Sequence, residues 1–304
     1  MTLVIKMKEI FIPSDYDGLK LALNIYEIEN AKGAVQIIHG MCEHKERYDH
    51  LCKFLNTLGF IAIISDNRGH GKSINEENPM GHFGNNGKKA LIDDQLTITN
   101  YITQEYNLPI TIYAHSMGTI IARVYLQEHA DLVSKIILSG IPCYQSGASI
   151  GIGVANLFAL FKGKKGHSKL MTNLVTGQFN KKIKNPISPN AWISYNEENV
   201  RNYDNDELCG VPFTIWGYKT LFNLVKQMHK KKAYLDLNPN LPILIIVGED
   251  DPCTGYEKGL TDSKAILKYN FNNVELKKFA NMRHEIINEV NYLDVFKEIE
   301  GFLS

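Results

Sequence analysis

Ile110-Thr111-Ile112-Tyr113-Ala114-His115-Ser116-Met117-Gly118 is a mainly apolar run leading to a serine with a small residue two places to either side. A serine on a sharp strand-to-helix turn has strained backbone angles, and the residues two before and two after it must be small or strand and helix collide. Ala114 and Gly118 meet that condition. The run before the serine reads as a buried strand, and residues 119–129 read as an amphipathic helix with Ile120, Val124 and Leu126 free to pack on a sheet. Alanine stands where the usual G-x-S-x-G pattern has its first glycine, a replacement small enough to keep the geometry. The alternative is a buried serine at an ordinary tight turn, and the rest of the chain decides between the two.

Outward from this turn the chain alternates. Residues 9–13 and 20–27, joined by Ser14-Asp15-Tyr16-Asp17-Gly18, read as an antiparallel pair at a sheet edge. Strands are expected at 35–38, 60–65, 135–139, 243–247 and 274–279, with helices around 48–58 and 88–104. Such alternation means an α/β fold, a mostly parallel central sheet with helices on both faces. In such sheets active groups gather at the carboxyl ends of the strands. Between residue 141 and roughly 235 the alternation stops, which marks an inserted helical cap. The expected division is a core of 1–140 with 236–304 and a cap of 141–235; a chain of 304 residues with 44% apolar content supports one large core plus an insertion.

A serine hydroxyl is a poor nucleophile at neutral pH and needs a general base that a carboxylate holds in place. On this fold the chain order is serine, acid, histidine. The apolar run 243–247 ends in Gly248-Glu249-Asp250-Asp251-Pro252, and beyond it there is one histidine, His284. Asp251 is taken as the acid because the spacing puts it at the tip of the loop; Asp250 stands beside it as the alternative. A tetrahedral intermediate also needs two preorganised donors. The N–H of Met117, just after the serine, and that of Met41, in the loop after strand 35–38, are the expected pair. His39 in that loop reads as structural, bonding the loop together. Gly71-Lys72-Ser73 fails as a phosphate loop, because Asp66 stands where the pattern requires glycine.

With these residues in place, the chain resembles the serine α/β-hydrolases of the monoacylglycerol lipase and lysophospholipase group. The likeness rests on His39-Gly40-Met41-Cys42-Glu43-His44 with Arg47-Tyr48, on Asp66-Asn67-Arg68-Gly69-His70-Gly71-Lys72-Ser73, and on the serine turn. It continues in Pro252 after Asp251, in His284-Glu285-Ile286-Ile287-Asn288-Glu289, and in Trp192 to Glu198 with Leu208-Cys209-Gly210 and Phe213-Thr214. The resemblance implies that Glu43 and Arg47 organise the oxyanion loop and a polar pocket for glycerol; an ion pair that merely braces the loop is the competing role. Family members usually carry a small residue where Cys42 stands.

Thirty-three basic and thirty-three acidic residues leave no net field to attract nucleic acid. Five cysteines, Cys42, Cys52, Cys143, Cys209 and Cys253, have no C-x-x-C spacing and an odd total, and the histidines do not cluster with them along the chain. Reduced thiols are expected, with no metal or other cofactor. Residues 1–9 hold only a short apolar triplet before Lys6, too little for a secretion signal, so a cytoplasmic protein is expected.

Within the cap, residues 147–161 are almost wholly apolar, with Ile150, Val154, Leu157, Phe158 and Phe161 on one helical face and Ile152 and Leu160 on the other. The stretch is too short to span a bilayer, which takes about 20 residues. One face is expected to line an acyl tunnel and the other to touch a membrane or micelle transiently, unless the helix is simply packed into the cap. Seven lysines and no acidic residue fall between 162 and 184, read either as a solvated flexible loop or as an attraction for anionic lipid. Trp192, Phe213, Trp216, Phe222 and Leu224 promise a bulky apolar cap interior. The expected activity is therefore hydrolysis of an acyl ester of a lipid, monoacylglycerol or lysophospholipid, through an acyl-enzyme. A general carboxylesterase, a proline-type aminopeptidase and a non-catalytic small-molecule receptor are the competing readings.

Overall fold

The computed structural model describes residues 6–304; residues 1–5, which include the short apolar triplet noted above, lie outside them. The edge pair is β1 (Lys6–Pro13) and β2 (Lys20–Glu27), antiparallel with Lys6 opposite Glu27 and Pro13 opposite Lys20. Five further runs become almost completely buried strands: β3 (Gly33–Ile38), β4 (Phe60–Ser65), β5 (Ile110–His115), β6 (Lys135–Ser139) and β7 (Ile243–Gly248). Strands covered on both faces cannot alternate apolar with polar residues, which is why they read as continuous runs. β8 (Val274–Phe279) completes an eight-stranded sheet of order β1-β2-β4-β3-β5-β6-β7-β8, parallel from β4 to β8. β2 pairs antiparallel with β4 and links the edge pair to the parallel part.

Side chains alternate between two apolar layers. Ile38, Ile112, Leu138 and Ile245 pack with residues of α2 (Gly87–Tyr106), α3 (Met117–His129) and α8 (Tyr256–Asn270). Ile37, Tyr113, Ile137 and Ile246 pack on the other face with α1 (Asp49–Thr57) and α9 (Tyr292–Leu303). Each buried aliphatic side chain of this kind stabilises by roughly 1.5–3 kcal/mol. The sheet is therefore held chiefly from its two faces, and its central strand ends become a rigid platform.

Between β6 and β7 the described chain forms no strand. It folds into α4 (Ala148–Lys162), α5 (Lys169–Val175), α6 (Glu197–Asn205) and α7 (Ile215–Met228), where the sequence alternation stops. α4 packs on α7 through its small residues, while Ile150 and Val154 of the face expected to line an acyl tunnel do line the cavity. Ala148, Gly151 and Ala155 are its buried residues, and a Cβ on Gly151 would sit 2.6 Å from the Phe222 ring. The larger residues are displaced: Ile150, Leu157, Leu160 and Phe161 are 73, 52, 80 and 80% exposed. A helix that is apolar all round gives no period to read, and close approach to α7 selects the small residues. Trp216 also differs from expectation, lying near the surface with its Nε1–H donated to the Asn85 carbonyl and Lys219 over its ring. The lysine-rich stretch is not simply a loop, since α5 forms inside it. Among the described residues no helix is long and apolar enough to cross a membrane.

Candidate active site

Ser116 sits between β5 and α3 with φ +50° and ψ −119°, a conformation that L residues avoid. Three neighbours make it possible. Ala114 is fully buried in the sheet opposite Leu138, and Gly118 lies so close to β3 that a Cβ there would be 2.1 Å from the Ile38 carbonyl oxygen. Gly40 faces the serine, with room for no side chain: its Cβ would meet Glu43 Oε1 at 2.6 Å and Ser116 Cβ at 3.0 Å. The strained turn is thus enforced by packing on both sides and lifts Oγ off the sheet edge.

His284 follows β8 in a loop that precedes α9, and Asp251 follows β7. The His284 ring joins them: Nε2 is 2.8 Å from Ser116 Oγ and Nδ1 is 2.8 Å from Asp251 Oδ2. Asp251 Oδ1 accepts the Cys253 N–H at 2.8 Å, which fixes the carboxylate. Asp250, the alternative acid, is exposed and accepts from the Tyr195 hydroxyl. Burial works against a charge on the His284 ring, but the Asp251 carboxylate outweighs it and holds the pKa above the ordinary histidine value. Trp192 from the insertion and His115 from β5 cover the ring, each with its ring centroid 4.8 Å away. Burial and the neighbouring His284 push His115 down to about 4, so it is neutral.

Met41 and Met117 both line the cavity over Ser116, and Met117 opens α3 with its N–H in the first turn. The Met41 loop is built from buried polar groups. Glu43 Oε1 accepts the Gly40 N–H at 2.6 Å and the Tyr48 hydroxyl at 2.8 Å. His39 donates from Nδ1 to the Gly40 carbonyl and accepts the Asn67 N–H on Nε2, while burial pushes its pKa down to about 3. It is a neutral structural group, as its position in the loop suggested. Cys42 has φ +57°, a conformation that favours glycine and accounts for the small residue usual there. Its Sγ–H donates to the Val211 carbonyl, and its own carbonyl accepts from Tyr203 Oη and Gly210 N–H, each at 2.9 Å. The insertion is therefore bonded directly to the loop that carries Met41.

Arg47 donates to Glu43 Oε2 at 2.8 Å, to both oxygens of Glu285 at 2.8 and 2.7 Å, and to Asn199. Glu43 and Glu285 line the cavity, whereas Arg47 stands behind them. Burial would raise Glu285, but Arg47 brings it down to about 2. Glu289 ties the histidine loop to the insertion, accepting from Ser194 Oγ and the Arg283, Tyr195 and Asn196 N–H groups. Glu285, Trp192 and Tyr203 escaped the sequence reading as site residues. Only the place of Glu285 beside the one late histidine offered a signal, because their contacts are long-range.

The cavity above Ser116 measures about 960 Å³, and its walls include Ile120, Val154, Trp192, Leu221, Phe222 and Val225. Glu43, His115, His284 and Glu285 stand at the reacting end, and along the rest the apolar side chains share the wall with polar ones such as Gln145, Asn173, Gln178 and Lys181; the apolar part suits an ester with a hydrocarbon tail. Cysteines and histidines separated along the chain do meet in space. Among the described residues, Asp251, Cys253 and His284 form one group with ligand atoms within 4.8 Å of one another, and His44, Asp206 and Cys209 form another.

Residues 29–291 match the family described as serine aminopeptidase, S33. The phospholipase YtpA of Bacillus subtilis is 24% identical over 286 residues, covering 91% of this chain and 97% of that protein. A monoacylglycerol lipase of Mycolicibacterium smegmatis is 22% identical, covering 94% of this chain and 93% of its own. Among solved structures, a thermostable carboxyl esterase from Bacillus coagulans in complex with glycerol superposes with a TM-score of 0.86 at 28% identity, covering 99% of this chain and 98% of that one.

Proposed function

Since the chain belongs to the serine aminopeptidase S33 family of α/β-hydrolases, we propose that Ser116, His284 and Asp251 hydrolyse acyl esters of lipids. The observation that carries this is the unbroken hydrogen-bond chain from the Ser116 hydroxyl through the His284 ring to Asp251, each link 2.8 Å, at the floor of a deep apolar cavity. Ser116 Oγ attacks the ester carbonyl as its proton passes to His284 Nε2. Asp251 steadies the imidazolium, and the Met41 and Met117 N–H groups receive the oxyanion. His284 then protonates the leaving alcohol, takes a proton from water as its oxygen adds to the acyl carbon, and returns that proton to Ser116 Oγ as the acyl–Oγ bond breaks and the fatty acid leaves.

The polar end of the cavity favours a neutral headgroup. Two carboxylates, Glu43 and Glu285, face it, and one guanidinium behind them offsets part of their charge. Glycerol hydroxyls can donate to such oxygens, whereas a phosphate would be repelled by them. Monoacylglycerol is thus the favoured substrate over lysophospholipid, in keeping with the glycerol named in the related esterase structure. Arg47 acts through the two carboxylates it positions.

The bare face of α4, with Leu157, Leu160 and Phe161 beside the lysine-rich stretch, supports transient contact of the insertion, 141–235, with a lipid surface. Five unbonded cysteines support a cytoplasmic setting. Hydrolysis rates for monoacylglycerols, lysophospholipids and p-nitrophenyl esters over several chain lengths test the proposal. The expected order puts long-chain monoacylglycerols first; equal rates across headgroups, or preference for a charged headgroup, would contradict it.

A further inference from the structure

His44, Asp206 and Cys209 lie away from the reacting atoms, and the geometry points to a binding site for a zinc-type divalent cation that joins the inserted segment to the oxyanion loop. One nitrogen of His44, one carboxylate oxygen of Asp206 and the sulfur of Cys209 lie within 4.8 Å of one another. One nitrogen, one carboxylate oxygen and one thiolate form a donor set that suits zinc, with a fourth position left for water.

The supporting contacts are already in place. Glu46 Oε2 is 2.6 Å from His44 Nδ1, and its other oxygen is held by Lys45 Nζ at 2.7 Å. A carboxylate on Nδ1 fixes the histidine tautomer and leaves Nε2 to bond a metal. Asp206 Oδ1 accepts the Leu208 N–H at 2.9 Å and the Asp206 carbonyl accepts the Cys209 N–H at 3.0 Å, so one tight turn presents both the carboxylate and the thiol. Oδ2 is turned to His44 Nε2 at 2.8 Å. A zinc ion bonded to both at about 2.0–2.2 Å replaces the proton they share and needs them roughly 0.5 Å further apart. His44 and Cys209 are buried, while the Asp206 side chain is 33% exposed, which gives the ion and its water a way in.

The position of the site gives it a consequence. His44 follows Glu43, which braces Gly40 in the loop that carries Met41, and Cys209 precedes Gly210, whose N–H holds the Cys42 carbonyl. A bound ion adds a coordinate link across a junction otherwise made by hydrogen bonds and a histidine ion pair.

The test uses the full chain stripped with a chelator, zinc titrated against a chromophoric zinc indicator, and thermal melts with and without the metal. One equivalent is expected to bind and to raise the melting midpoint by about 4 °C at a hundredfold excess over Kd. Asp206→Asn and Cys209→Ser, both close in shape to the native residues, are expected to abolish that equivalent, and Glu46→Gln to weaken it by about 10- to 100-fold. His284→Ala is expected to leave it intact. Anomalous diffraction at the zinc edge from soaked wild-type crystals is expected to place the ion between His44 and Cys209. Absence of binding, binding that survives both Asp206→Asn and Cys209→Ser, or binding lost in His284→Ala would each overturn the proposal, the last by assigning the metal to Asp251, Cys253 and His284.

Discussion

Arg47 grips Glu285, the residue next to His284, through two hydrogen bonds of 2.8 and 2.7 Å across 238 positions of sequence. With its third bond to Glu43 it joins the oxyanion loop to the histidine loop behind the cavity. Removing one partner of a buried ion pair leaves the other uncompensated and costs about 3–5 kcal/mol. Arg47→Met is therefore expected to lower the melting midpoint markedly and to reduce kcat more than it raises KM, because both loops lose their shared anchor. Arg47→Lys should recover only part of either, since an ammonium cannot make the bidentate contact. Thermal melts beside steady-state kinetics on a soluble ester check both.

The pairing of His284 with Asp251 sets a pH dependence. Asp251 holds the ring's pKa above the ordinary value, and only the neutral ring can accept the serine proton. Activity should rise with pH through a group titrating above about 6.5. The stability due to this pair has the opposite sense: it is fully present below the histidine's unfolded value and is lost as pH rises through the folded one. Asp251→Asn should move the acid limb of kcat/KM downward and lower kcat by about 10⁴-fold. A pH–rate profile of both proteins is the measurement.

The two small residues flanking Ser116 are not equivalent. A Cβ at Gly118 meets the β3 backbone at 2.1 Å, so Gly118→Ala should abolish turnover or folding. Ala114→Gly only removes a methyl from a strand and should keep turnover within a few fold while costing about 0.5–1 kcal/mol. Expression, melting and esterase assays of the pair check the contrast.

Lipid contact through α4 separates soluble from aggregated substrates. Leu160→Ser with Phe161→Ser alters residues that are each 80% exposed, away from the triad. Rates on p-nitrophenyl acetate should stay within about twofold, as for surface substitutions generally. Rates on emulsified long-chain monoacylglycerol should fall by about tenfold or more, from loss of buried apolar area at the interface. Parallel assays on the two substrates are the check.

The sheet was legible because its strands carry local signals: apolar runs such as 60–65 and 243–247 that only a doubly covered strand requires. The serine turn was legible for a similar reason, its small neighbours being a steric demand written within five residues. Spacing after Gly248 favoured Asp251 over the chemically identical Asp250, and the fold buries the first and exposes the second. The contact face of α4 was not legible, because a helix apolar all round reveals no orientation and Gly151 declares its role only when Phe222 approaches. Nor were Trp192 over His284, Glu285 on Arg47, or Cys209 beside His44, since each contact joins segments far apart in the chain.

The account turns on Ser116 as the nucleophile, and the most direct measurement is labelling by a fluorophosphonate probe with the modified residue located by mass spectrometry, alongside ester turnover. The wild-type chain is predicted to take one equivalent of probe on Ser116, and Ser116→Ala to take none while turnover falls by about 10⁴- to 10⁶-fold. Near-normal turnover by Ser116→Ala, or a probe adduct on another residue, would contradict it.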